Sequence, residues 1–164
     1  MIPSSTDYNG RLVDLEYLQT ISKPSGSYDV TQSIAISSPK IVTGIQKLVQ
    51  RYAITMLTRL GDVYLAPDKG TGFLDRIARG GGRSRGHILQ TFAFANIDVI
   101  RQLREDDGNT DTYGEIPADE QIRRAELLDY SVDFTTSTLS LTVFIESNAG
   151  ESFTYVIPVT VPRT

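Results

Sequence analysis

Residues 38–73 read SPKIVTGIQKLVQRYAITMLTRLGDVYLAPDKGTGF, and the periodicity of this stretch decides what the rest of the chain packs against. Ile41, Ile45, Leu48, Val49, Tyr52, Met56 and Leu57 recur at steps of three and four, which places them on one side of a helix. Lys40, Thr43, Lys47, Gln50 and Arg51 fall mainly on the other side, so the helix is amphipathic, and Ile41, Ile45, Leu48, Tyr52 and Met56 are its expected core face. Ser38 and Pro39 read as cap and first helical residue. Arg59 suits the negative end of the helix dipole, and Gly61 suits the turn that closes it. Beyond it, Val63 and Leu65 alternate with Asp62, Tyr64 and Ala66, which predicts a short extended arm before PDKGTG (67–72) turns the chain.

Working outward, Val13, Leu15 and Tyr17 alternate with Asp14 and Glu16, the pattern of a half-buried strand. Pro24 and Gly26 break the stretch 22–29, so residues 1–29 read as an N-terminal strand on a flexible linker and 30–164 as one domain. That tethered strand can pair within the subunit or with a neighbour. On the other side, Phe73, Leu74 and Ile77 predict one helical turn, which Gly80, Gly81 and Gly82 end. A second helix is expected from about Ser84 to Glu105, with Ile88, Phe92, Ala95, Val99 and Leu103 as its inner stripe and Leu89 and Ile100 beside it. Residues 104–115 read as a surface loop, and Pro117 opens a short helix through PADEQIRRAELL with Ala118, Asp119 and Glu120 in its first turn. Three alternating runs follow: Leu128 to Phe134, Leu139 to Ile145 and Phe153 to Val161. Joined by the short connections TTST and SNAGE, they predict an antiparallel meander. Pro158 cannot donate to a ladder and marks its strand as an edge. The fold class is therefore α+β, amphipathic helices on a small C-terminal meander with a tethered N-terminal strand.

Composition bounds the function. The chain has 164 residues, 40% of them hydrophobic, enough for one ordinary core. Its net charge of -4 argues against a general nucleic-acid binder. There is no Cys, which excludes disulfides and thiolate metal sites, and His87 is the single His, so no multi-histidine cluster forms. No apolar run reaches the roughly 20 residues of a bilayer span, and MIPSSTDYNG has no apolar signal core, so neither membrane residence nor general secretion is expected.

QKLVQRYAITMLTRLGDVYLAPDKGTGF, followed by an amphipathic helix and a terminal meander, resembles the sheath-initiator or baseplate-wedge proteins of contractile phage tails, a family with a lysozyme-like label. The shared pattern is a helix, L-T-R-x-G-[ED], four or five residues, then P-x-x-G-x-G. Here Leu57, Thr58, Arg59, Leu60, Gly61, Asp62, Pro67, Gly70 and Gly72 carry it. Leu60 stands where many members have proline. The Glu-Pro-Arg triplet that often precedes the family's hairpin is absent, with Ala125, Glu126 and Leu127 in its neighbourhood. The resemblance implies a structural subunit of a virion, placed in the tail baseplate and assembled in the host cytoplasm. Its implied partners are tail sheath protein, baseplate wedge proteins, tail tube or hub proteins, and neighbouring copies in a sixfold ring. No reaction, cofactor, metal, membrane or nucleic acid is expected.

Within that frame the strands carrying Leu139, Leu141, Val143, Ile145, Phe153, Tyr155 and Ile157 are the expected template for sheath arms, since an added strand satisfies a row of backbone groups. Arg59, Asp62, Arg76, Arg79, Arg83, Arg85 and Glu126 are the expected wedge or tube contacts. Three readings of the arginine–glycine loop stay open: a solvated loop, an anion site, or a segment ordered by an acidic partner. RGGGRSRG and PDKGTG both lack the phosphate-loop pattern. A peptidoglycan hydrolase is the alternative function, and a nucleic-acid accessory protein led by Arg79, Arg83 and Arg85 is a weaker one. Hydrolysis needs two carboxyls across a cleft, and no spacing among Glu16, Glu105, Glu126 and Glu146 singles out a pair.

Overall fold

The computed structural model describes residues 14–15, 18–22, 28–32, 41–81, 84–109 and 115–161. Its elements are β1 (Asp14–Leu15), β2 (Leu18–Ser22), β3 (Tyr28–Gln32), β4 (Ile41–Val42), α1 (Gly44–Leu57), α2 (Phe73–Arg76), α3 (Arg85–Asp107), β5 (Ile122–Asp133), β6 (Thr138–Ser147) and β7 (Ser152–Thr160). The architecture is α+β, with α1 and α3 packed on an antiparallel β5-β6-β7 meander.

The helical face predicted for 38–73 forms, but later than its periodicity suggests. Leu48, Val49, Tyr52, Ala53 and Met56 are buried, whereas α1 begins only at Gly44. Ile41 and Val42 are extended and pair antiparallel with Leu15 and Asp14, so Ile41 is exposed and is not a core residue, and Ile45 is half-buried. Gly44 has φ 60°, and an added Cβ there would meet Asp119 Oδ2 at 3.0 Å. A helix running on from Pro39 does not pass through that conformation. Ser38 and Pro39 themselves lie outside the described residues.

The extended arm predicted for Val63 and Leu65 is instead a series of turns, with Ala66 N–H donating to the Val63 carbonyl and Lys69 N–H to the Ala66 carbonyl. Phe73 and Ile77 are buried, as one helical turn against the core requires. The turn after α2 ends where Gly80 takes φ 101°, a left-handed value that glycine adopts without a Cβ penalty. Ser84 then caps α3, its hydroxyl accepting from His87 N–H. Ile88, Phe92, Ala95, Val99 and Leu103 are all buried, as read from their spacing, while Leu89 lies in solvent and Ile100 is half-buried.

The helix expected from Pro117 is absent. Residues 118–120 form a turn, and Ile122 begins a 12-residue strand. Two breaks in register, at Ile122/Arg124 and Leu127/Asp129, disturb the alternation that marks a strand. The second break leaves Leu128 exposed, and Phe134 falls beyond the strand, also exposed. β6 alternates without a fault: Leu139, Leu141, Val143, Ile145 and Ser147 face inward. Leu139, Leu141 and Val143 pair with Val159, Ile157 and Tyr155 of β7, which line the same buried face. Each such large apolar side chain contributes roughly 1.5–3 kcal/mol. At the N-terminal end, β1 pairs with β4 inside the chain, and β2 and β3 form a hairpin across the stretch read as linker.

Candidate functional site

Two constructions organise the surface: a closed loop at the end of α1 and a sheet edge broken by a bulge.

The loop between Thr58 and Thr71 is cinched at its base. Thr71 N–H donates to the Thr58 carbonyl at 2.8 Å and Leu60 N–H to the Thr71 carbonyl at 3.1 Å, an isolated parallel bridge centred on Arg59 and Thr71. Thr71 Oγ1 donates to the Met56 carbonyl and accepts from Phe73 N–H, so one hydroxyl ties helix end to helix start. Gly70, at φ 96°, lies so close that an added Cβ would sit 2.6 Å from the Thr58 carbonyl oxygen. Gln102 of α3 then grips Gly70 from the other side, accepting from its N–H at 2.9 Å and donating to its carbonyl at 2.7 Å. Lys69 adds an ion pair with Asp106. The L-T-R-x-G-D and P-x-x-G-x-G halves are therefore two sides of one closure, and the residues between them form a compact loop with adjacent ends. Its tip is apolar and outward: Tyr64 is 94% and Leu65 90% exposed.

α1 receives its cap from far along the chain. Glu120 Oε1 accepts from Gly44 N–H at 3.1 Å, and Oε2 lies 2.8 Å from Lys47 Nζ. A carboxylate at a helix start answers the positive end of the dipole. Glu120 is 1% exposed, and its carbonyl accepts from Arg51, which also pairs with Asp107 at 3.0 Å. Burial pushes the Asp107 carboxyl above its ordinary range, and the Arg51 guanidinium pulls the other way. Glu120 does serve a helix N-terminus as its type suggests, but the helix is α1. Gln102 could have been noticed too, because it falls on the buried arc of α3 where an unpartnered amide is costly. Their partners lie 76 and 32 residues away, a separation no local pattern encodes.

The expected sheath template is only partly an edge. β6 is the central strand, hydrogen-bonded on both sides, and Leu139, Leu141, Val143 and Ile145 are wholly buried, so neither its backbone nor these side chains can meet a partner. β7 is an outer strand with Pro158 exposed, as the missing amide requires; Tyr155 and Ile157 face the core and Phe153 is half-buried. β3 lies beside β7 without pairing to it. β5 is the other outer strand. Ahead of its bulge, α3 covers the edge: Asn96 donates to the Ala125 carbonyl and Arg104 to the Arg123 carbonyl. Beyond the bulge, among the described residues, the backbone of Asp129–Asp133 meets β6 and the local Asp129 carboxylate, while the Asp133 carboxylate accepts from the Thr135 and Thr136 N–H groups of the following turn.

The expected wedge contacts are scattered. Arg59 makes an exposed pair with Asp75 at 3.6 Å rather than capping α1, whose last turn has no basic residue. Asp62 is exposed in the loop. Arg76 stacks over the Phe94 ring at 5.0 Å, Arg79 and Arg85 flank the start of α3, and Arg83 lies outside the described residues. Glu126 pairs with Arg124, which with Arg123 also holds Glu146. Those arginines keep the Glu146 carboxyl below its usual range, opposite to the shift a general acid needs. A groove of about 390 Å³ is lined by Arg104, Asp107, Gly108, Gln121, Ile122, Arg123 and Asn148. It offers one carboxylate where glycoside hydrolysis uses two. Among the described residues no group of acidic or histidine side chains is arranged to hold a metal, and no helix is long and apolar enough to cross a membrane.

No protein-family model matches the chain, and neither does any curated protein or solved structure.

Proposed function

We propose that the chain is a structural subunit of a contractile-tail baseplate that seeds sheath assembly by strand addition, its helical side bound to wedge or tube proteins. The observation that carries this reading is the outer edge of β5 beyond the bulge, where, among the described residues, Asp129–Asp133 pair only with β6. A strand laid there would satisfy a row of backbone groups, with alternate side chains setting its register. Of the two outer strands, β7 is the poorer acceptor, since Pro158 removes a donor and β3 lies alongside. The closed loop also favours the resemblance, because its quoted residues occupy the two sides of the cinch.

A proline scan from Asp129 to Asp133 tests the edge. Amides point alternately into the ladder and away from it, so prolines of one parity should lower thermal stability. Those of the other parity should leave stability in place and abolish nucleation of sheath rings by purified sheath protein. Unchanged nucleation at both parities, in variants that fold, refutes strand addition at this edge.

A further inference from the structure

We propose that the strand accepted beyond the β5 bulge is a basic one, with Lys or Arg opposite Asp129 and Asp133 and apolar residues beside Tyr130 and Val132. Such selection rests on strand addition at this edge and fixes the chemistry of the strand that is taken.

The edge presents two chemistries in alternation. Tyr130 and Val132 are half-buried and pack on the core, while Asp129, Ser131 and Asp133 are exposed. Successive side chains of a strand point to opposite faces, so an added strand meets the two sets separately. Beside Tyr130 and Val132 its residues continue the apolar face and shelter what the sheet leaves half-covered. Beside Asp129 and Asp133 they meet carboxylates, with Ser131 between. The order basic, apolar, polar, apolar, basic reads alike from either end, so the match holds for parallel and antiparallel addition.

Both carboxylates are fixed, and neither is neutralised. Asp129 Oδ1 accepts from Tyr130 N–H at 2.8 Å, and Asp133 Oδ1 accepts from Thr135 and Thr136 N–H at 2.8 and 3.3 Å. Those donors are uncharged, and among the described residues no Lys or Arg pairs with either Asp. Hydrogen bonds from the Thr136 side chain, then from the two amides, hold the Asp133 carboxyl below the ordinary carboxylate range, so it is charged at neutral pH. The arginines of the same strand, Arg123 and Arg124, lie ahead of the bulge and are engaged by Glu146 and Glu126. Little ordering is left to do when a cation arrives opposite carboxylates already held in place.

The same charges turn away a second copy. Two such edges paired antiparallel about Ser131 would set Asp129 of each opposite Asp133 of the other, and like charges across a ladder destabilise it. Leu128 and Phe134, exposed at the two ends of the stretch, add apolar surface that a longer strand can cover.

Peptides titrated into the isotope-labelled full chain, with backbone amide shifts as the readout, test the preference. The probes are Thr-Lys-Val-Thr-Val-Lys-Thr and its acidic counterpart Thr-Glu-Val-Thr-Val-Glu-Thr. The Lys peptide should shift the amides of Asp129–Asp133 and bind about tenfold more tightly than the Glu peptide, two opposite-charge pairs standing in place of two like ones. Asp129→Asn/Asp133→Asn keeps both Oδ1 acceptors, and with them the turn, but removes both charges. This variant should melt as the parent does and bind the two peptides about equally. Equal affinity of the parent edge for both peptides leaves strand addition standing and overturns the charge selection. A Lys preference that survives in the Asn pair overturns it as well, because the net charge of -4 would then be its source. If neither peptide shifts these amides, the edge takes no strand and the selection falls with it.

Discussion

Gln102 holds Gly70 as a neighbouring strand would, one amide meeting both the N–H and the carbonyl of a single residue in a buried site. Replacing Gln102 with Met keeps the volume and strands both backbone groups. Each buried group left without a partner costs about 1–3 kcal/mol, so the loss from the two should be about 2–6 kcal/mol. Urea unfolding measures it directly, and a loss under 1 kcal/mol would mean that water or another side chain takes over. Gly70→Ala should cost more, because the new methyl would sit 2.6 Å from the Thr58 carbonyl oxygen.

The buried pair Glu120–Lys47 makes a different kind of prediction. Glu120→Ala removes the acceptor of Gly44 N–H and the carboxylate facing Lys47 together, and should destabilise by about 3–5 kcal/mol. Replacing both residues with Met should be milder than the sum of the two single changes, since no buried charge then loses its counterpart. Strict additivity in that double-mutant cycle would show that the two charges do not interact.

What could be read from residue order follows the range of the interactions. The stripe of α3 was legible because Ile88 to Leu103 repeat within one helix, and β6 because its alternation has no fault. The start of α1 was not. Ile41 continues the helical spacing by coincidence, while its backbone pairs with Leu15, 26 residues earlier. β5 was misread because two register breaks blur its period, and because Pro117 and the acids after it imitate a helix start. The acid nearest the mark, Glu120, was assigned the right chemistry and the wrong helix. For the candidate site, residue order picked out β6 and β7, one central strand and one outer, and missed the β5 edge, because the order of strands in the sheet and the reach of Asn96 and Arg104 from α3 to β5 are long-range.

Two carboxylates should tilt acid stability in opposite directions. Glu146 is held below its unfolded value, first by its bond to Arg124, so between the two pKa values the unfolded chain binds more protons. Its contribution is present above the ordinary carboxylate range and is lost as pH falls through the folded value. Asp107 is raised by burial, so the folded chain binds more protons and stability falls as pH rises through its window. Thermal midpoints across about pH 3 to 6 should therefore rise less steeply with pH in Glu146→Gln and more steeply in Asp107→Asn. Matching slopes in both variants and the parent would remove these groups from the acid transition.

The two candidate starts of α1 separate under a series of aspartate substitutions. An unpaired charge in a closed core costs several kcal/mol, and Leu48 is wholly buried, so Leu48→Asp should abolish cooperative unfolding. Ile45 is half-buried against the core, which leaves its aspartate a route to solvent and makes Ile45→Asp destabilising without loss of the fold. Ile41 is 44% exposed in β4, ahead of Thr43, so Ile41→Asp should change stability by only about 0.5 kcal/mol. A helix continuing from Pro39 would put Ile41 on the same face as Leu48 and make its aspartate comparably damaging. Chemical denaturation of the three variants decides between them: a graded series places the start at Gly44, and equal damage at Ile41 and Leu48 restores the longer helix.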